Sequence, residues 1–229
     1  MAIIKQDKEV KAGKIDVAAL KKSMNASLKG TVYDLTKENP TDVEEWISTG
    51  STWLDAIICK GKTTGIPVGK VVEIAGFSGT GKSYLACVIA GNAQKQNQVV
   101  VYFDSESAVS SEFMSKAGCN VEDIIYIQPP NLESVFESIE KLMGENENAQ
   151  FLFVLDSLAG TPARGDNEGT FNPRESIGLK AAIMSKAFQK LTMPLAQRKC
   201  TFLILNQLRE NIKKISERSE EHTSELQSP

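Results

Sequence analysis

The residues Gly76-Phe77-Ser78-Gly79-Thr80-Gly81-Lys82-Ser83 carry the densest chemistry in this chain. Their spacing is G-x-x-x-x-G-K-[ST], placed directly after the apolar run "VVEIA" and opening a helical pattern. Glycines at these places let the main chain curl so that successive N–H groups converge at a helix N-terminus, which makes a cradle for an anion. A lysine at the end of such a loop reaches β- and γ-phosphates, and the following hydroxyl serves Mg²⁺. The segment therefore predicts a site for a nucleoside triphosphate with magnesium.

Further groups stand where that chemistry needs them. The apolar run "FLFVL" ends on Asp156, the place where an acid serves the magnesium of phosphate-loop enzymes. Just beyond "VVVYF" come Asp104, Ser105 and Glu106. A glutamate there faces the γ-phosphate as a general base for water, although taken alone it also fits a solvated turn. The run "TFLIL" ends on Asn206 and Gln207, whose amides are placed to sense a γ-phosphate.

These groups meet only if the elements behind them share one edge. Five short runs, at 71–75, 99–103, 124–127, 151–155 and 201–205, are too short and too rich in β-branched and aromatic residues to be helices. Between them "KSYLACVIAGNAQKQ" and "NLESVFESIEKLMGE" carry helical spacing, the second opened by Asn131 as a cap. Uniformly apolar strands separated by helix-length crossovers predict a largely parallel, twisted sheet with helices on both faces, an α/β fold. In such a sheet ligands bind at the carboxyl ends of the strands.

One connection is longer than the rest. "LAGTPARGDNEGTFNPRES" (158–176) is rich in Gly, Pro and polar residues and precedes a helix expected from about Ile177. Its Arg164, Phe171 and Arg174 make it a basic and aromatic loop, which by itself also fits a solvated connection.

The whole-chain numbers narrow the function. With 229 residues, 41% hydrophobic and 24% charged, one sizeable core is expected. A net charge of −3 excludes a surface that attracts nucleic acid everywhere, so any such contact must be local. The sequence has neither a long apolar run nor a secretory pattern, and an intracellular protein without a membrane span is expected. Cys59, Cys87, Cys119 and Cys200 show no metal-binding spacing and read as packed, reduced thiols. Residues 1–35 form a Lys-rich arm, including Lys5, Lys8, Lys11 and Lys14, with Leu20, Met24 and Leu28 at every fourth position. That spacing fits either a solvated arm or a helix that docks on a neighbouring subunit.

Taken in order, "STGSTWLDAII", "GKVVEIAGFSGTGKS", "VVYFDSESAV", "FLFVLDSLAGTPAR", "IGLKAAIMSKAFQKL" and "LILNQLRE", spread over residues 48–210, resemble the RecA family of DNA strand-exchange recombinases and, more loosely, its phage-encoded relatives. The resemblance implies a P-loop NTPase core of RecA type over 36–217 and an enzyme that couples ATP hydrolysis to DNA strand exchange. Gly76 to Ser83 would hold ATP, Glu106 would activate water, Ser83 and Asp156 would serve Mg²⁺, and Gln207 would relay nucleotide state. Phe113 falls where the family often sets an aromatic against adenine, a position that a simple core contact also explains. Arg164, Phe171 and Arg174 would lie on the first DNA-binding loop. Implied partners are single-stranded DNA, homologous duplex DNA and further copies in a helical filament, in the cytoplasm of a bacterial cell or phage-infected host. Two other readings remain open: a replicative helicase or packaging motor of related fold, and a non-catalytic ATP-binding mediator.

The last residues depart from the family. Residues 218–228, "RSEEHTSELQS", resemble the translation of a common sequencing-library adapter. The expectation is a foreign tail at 218–229 on a shortened frame, with later sheet strands missing. The only histidine, His222, lies in that tail, so histidine-based catalysis is not expected.

Overall fold

The computed structural model describes residues 16–28, 32–33, 35, 42–61, 64–167 and 173–208. The chain divides into two units, 1–42 and 43–229. In the first, helix α1 spans Val17–Ser27, and the Asp16 carboxylate caps it by accepting from the N–H groups of Ala18 and Ala19. Its apolar residues Val17, Leu20 and Met24 are exposed. The arm before residue 16, with Lys5, Lys8, Lys11 and Lys14, lies outside the described residues, as does the tail at 218–229 with His222.

The second unit holds a five-stranded parallel sheet. Its strands are β3 (Val71–Gly76), β4 (Val99–Asp104), β5 (Ile124–Ile127), β6 (Phe151–Asp156) and β7 (Thr201–Gln207), in the spatial order β3-β7-β6-β4-β5. The expected apolar runs are these strands. Helix α3 (Lys82–Gln94) follows β3, α4 (Ser111–Lys116) follows β4, α5 (Leu132–Glu145) follows β5, and α6 (Pro173–Gln197) joins β6 to β7. The Asn131 side chain accepts from the Ser134 N–H at 2.9 Å and so starts α5.

Alternation along each strand explains why the runs are apolar throughout. Val100, Tyr102, Leu152, Val154, Leu203 and Leu205 pack on the side of α3 and α4. Val101, Phe103, Phe153, Leu155, Phe202 and Ile204 pack on the side of α5 and α6. Both faces are covered, so neither set is free to be polar. The outer strand β3 is less buried, and its Glu73 is exposed.

Two features depart from expectation. Helix α6 begins at Pro173 rather than near Ile177. Proline suits the first helical position because its fixed φ is already helical and its missing N–H would have had no partner there. A two-stranded antiparallel pair, β1 (Trp46–Ile47) with β2 (Ile66–Pro67), flanks α2 (Thr52–Ile58). Asp55 on α2 is buried, and it accepts from the Ser48 hydroxyl at 2.7 Å and from the Thr49 hydroxyl at 2.6 Å. Burial alone would raise its pKa, but these bonds from Thr49 and Ser48 hold it below the usual carboxylate value. Cys59, Cys87, Cys119 and Cys200 are buried free thiols.

Candidate nucleotide site

The loop between β3 and α3 is shaped by main-chain conformations that side chains resist. Gly79 and Gly81 have φ of 73° and 86°, in the left-handed region. Gly81 is also the N-cap of α3 and offers no side chain to its first turn. The opening N–H groups are therefore left for an external acceptor, and the helix dipole favours a negative one. Lys82 Nζ donates to the carbonyls of Gly76 at 3.0 Å and Phe77 at 2.8 Å, so it lies over the loop against neutral partners. The Thr80 hydroxyl donates to the Phe77 carbonyl at 2.9 Å and tightens the same turn.

The sheet brings the acids alongside. Gly76 pairs with Gln207, and Asp104 pairs with Asp156, so the ends of four adjacent strands reach one rim. Asp156 continues the Leu152 and Val154 set and faces α3. It is buried, its Oδ2 accepts from the Tyr102 hydroxyl at 2.8 Å, and the Ser83 hydroxyl also bonds to its carboxylate. Burial pushes its pKa up; the hydroxyls of Ser83 and Tyr102 oppose that, while the charges of Asp104 and Glu106 add to it. A buried carboxylate whose bonding partners are neutral and whose neighbours are negative is a fitting place for a divalent cation. No cluster of three acidic, His or Cys ligands occurs among the described residues. Ser83 and Asp156 are the described groups in this cleft that could hold a magnesium ion.

Asp104 plays a different part. Its Oδ1 accepts from the N–H groups of Glu106 and Ala108, and its Oδ2 accepts from the Val109 N–H and the Tyr126 hydroxyl. It ties down the turn that carries Glu106. The Glu106 carboxylate in turn accepts from the Ser157 hydroxyl at 2.5 Å.

Lys82, Ser83, Glu106, Phe113, Asp156 and Gln207 line one cleft of about 330 Å³. Asn206 is turned away from it and donates to Glu73 at 2.8 Å. Ser78, Gly79 and Gly81 also face the cleft, while the Phe77 side chain is exposed. Phe113 meets the ring of Tyr84 edge-on, with centroids 5.8 Å apart.

Comparison with known proteins decides the family. The family model described as "RecA N-terminal domain" matches residues 14–225. The chain belongs to the RecA N-terminal domain family. It is similar to Protein RecA of Streptomyces avermitilis, with 38% identity over 184 residues, or 80% of this chain and 47% of that protein. Protein RecA of Arthrobacter sp. is 35% identical over 184 residues, or 80% of this chain and 50% of that protein. Protein RecA of Anaplasma marginale is 33% identical over 205 residues, or 90% of this chain and 55% of that protein. The chain spans about half the length of the curated relatives it matches.

In this RecA-family chain the segment after β6 is held against α5. Arg164 opens a 3₁₀ turn at Arg164–Asn167; its N–H donates to Glu133 at 2.9 Å and its guanidinium pairs with Glu137 at 2.9 Å. Arg174 lies in the first turn of α6, and Phe171 lies outside the described residues. Sequence reasoning does not single out Tyr84, Tyr102 or Ser157. Tyr84 and Ser157 adjoin Ser83 and Asp156 in sequence, and that adjacency is the available signal. The contact of Tyr102 with Asp156 arises only from strand pairing.

Proposed function

We propose that this chain is the ATP-hydrolysing core of a RecA-type recombinase. On this reading the recombinase of which the chain is a fragment binds ATP with Mg²⁺ in the cleft, assembles as a helical filament on single-stranded DNA in the cytoplasm of a bacterial cell or phage-infected host, and promotes exchange with homologous duplex. The observation that carries the reading is the gathering of Lys82, Ser83, Asp156 and Glu106 around one cleft at the carboxyl edge of a parallel sheet.

The chemistry rests on what each group offers. The N–H groups at the start of α3 bind phosphate oxygens, and Lys82 exchanges two neutral carbonyls for an anion, a stronger charge-assisted partner. Magnesium at Ser83 and Asp156 would supply positive charge against the phosphates. Glu106 holds a water and takes its proton as it attacks. Gln207 at the end of β7 reports whether the cleft is filled, and Phe113 with Tyr84 offers aromatic surface to the base. Residues 1–35 make a subunit contact in this reading, with the recombinase core over 36–217.

The test is ATP turnover with and without single-stranded DNA, together with electron microscopy of the assembly. DNA-stimulated hydrolysis, lost in Glu106→Gln with ATP binding retained, and open filaments are expected. Closed rings would point to a helicase or motor, and ATP binding without turnover would point to a mediator.

A further inference from the structure

Glu106 stands on an exposed turn. A glutamate there has several rotatable bonds and loses that freedom only if something holds its carboxylate. Ser157, the residue after Asp156, is 3% exposed, and its hydroxyl donates to Glu106 Oε1 at 2.5 Å while accepting the Gly160 N–H at 3.1 Å. The single hydroxyl proton is thus the one directed at Glu106 Oε1, while a lone pair of the same oxygen takes the Gly160 N–H. The rest of Ser157 is fixed too. Its N–H donates to the Ser105 hydroxyl at 3.0 Å, and its carbonyl accepts from the hydroxyls of Ser105 at 3.1 Å and Thr161 at 2.8 Å. Gly160 completes the seat, since a Cβ there would lie 2.9 Å from both Cγ and Oε1 of Glu106.

We propose that Ser157 is a positioning residue for Glu106: its hydroxyl fixes Oε1 so that the second carboxylate oxygen faces the cleft. This rests on the reading of Glu106 as the base that orients water. The seat is the short turn between β6 and the segment of Arg164, so the base is anchored to the element that leads toward that arginine. A misaimed base costs turnover rather than nucleotide affinity.

The experiment measures steady-state ATP hydrolysis and, separately, equilibrium binding of ATP with magnesium for the full chain and its Ser157→Ala, Ser157→Cys, Ser157→Thr and Glu106→Gln variants. Ser157→Ala should lower kcat about tenfold, the scale expected for losing a hydrogen bond to a charged group. ATP affinity should stay within about twofold, and Ser157→Thr, which keeps the hydroxyl, should restore most of the rate. Ser157→Cys preserves the bulk of the side chain but is a weak donor, and it should show the same loss if Ser157→Ala proves unstable. Turnover unchanged in Ser157→Ala and Ser157→Cys, with Glu106→Gln inactive, would overturn this inference and leave the proposed function standing. Full turnover in Glu106→Gln would overturn both.

Discussion

Asp156 shows how a single residue sets fold stability against site chemistry. It is buried, and its ionised form is stabilised only by hydroxyls and opposed by neighbouring acids, so its pKa is raised in the fold. A carboxyl group raised on folding contributes its full stability while protonated, below the ordinary value of about 4, and loses it as pH rises through the folded value. The nucleotide-free protein should therefore weaken with rising pH through that window. Asp156→Asn should remove the dependence and raise Tm at pH 7 by about 2–4 °C for each kcal/mol relieved. Thermal melts from pH 4 to 8 check this; a variant no more stable than the parent at neutral pH contradicts it. If the cleft binds ATP with magnesium as proposed, that ligand should stabilise the parent, and the same variant should lose the gain. The phosphate loop was legible because its groups are contiguous. Asp156, Glu106 and Gln207 were legible because each stands at or within three residues of the end of an apolar run, whereas Tyr102 was hidden because it reaches Asp156 only across the pairing of β4 with β6.

At the scale of elements, the five core strands were readable because each is a short, mostly apolar run rich in β-branched and aromatic residues, broken in β3 only by the exposed Glu73. The start of α6 was not, because Pro173 sits among loop-like residues and its helical role depends on the turns after it. The pair β1 and β2 is too short for any periodicity to show. Helix α5 offers a direct check on local logic, since its first turn depends on the Asn131 side chain, which accepts from both the N–H and the hydroxyl of Ser134. Asn131→Ala should cost about 1 kcal/mol and lower Tm by about 2–4 °C, while Asn131→Ser should recover most of it. Denaturant melts of the two variants separate the cap from a general packing effect, because only the alanine lacks an acceptor.

Across the whole molecule, a net charge of −3 requires the proposed contact with nucleic acid to be local, and Arg164, the described arginine of the proposed DNA-binding loop with a resolved side chain, is already paired. Arg164 and Glu137 form a half-exposed ion pair, 54% and 64% exposed, of a kind worth no more than about 1 kcal/mol. If Arg164 contacts a phosphate in the proposed complex, it must leave Glu137 to do so, and the acid competes with the DNA. Glu137→Gln should then strengthen single-strand binding, by at most about fivefold given that ceiling. Arg164→Ala should weaken binding and reduce the slope of log affinity against log salt by about 0.7, the release expected for one phosphate contact on a single strand. Fluorescence anisotropy of a labelled oligonucleotide across a salt series reads both. The signs are opposite, so a shared loss of folding cannot imitate the pair; net charge rises by one in Glu137→Gln and falls by one in Arg164→Ala and would give the same signs, so the salt slope, reduced in Arg164→Ala alone, is what identifies a phosphate contact. If the parent and both variants give the same salt slope, Arg164 touches no phosphate, and the ion pair with Glu137 serves only to pin the segment to α5.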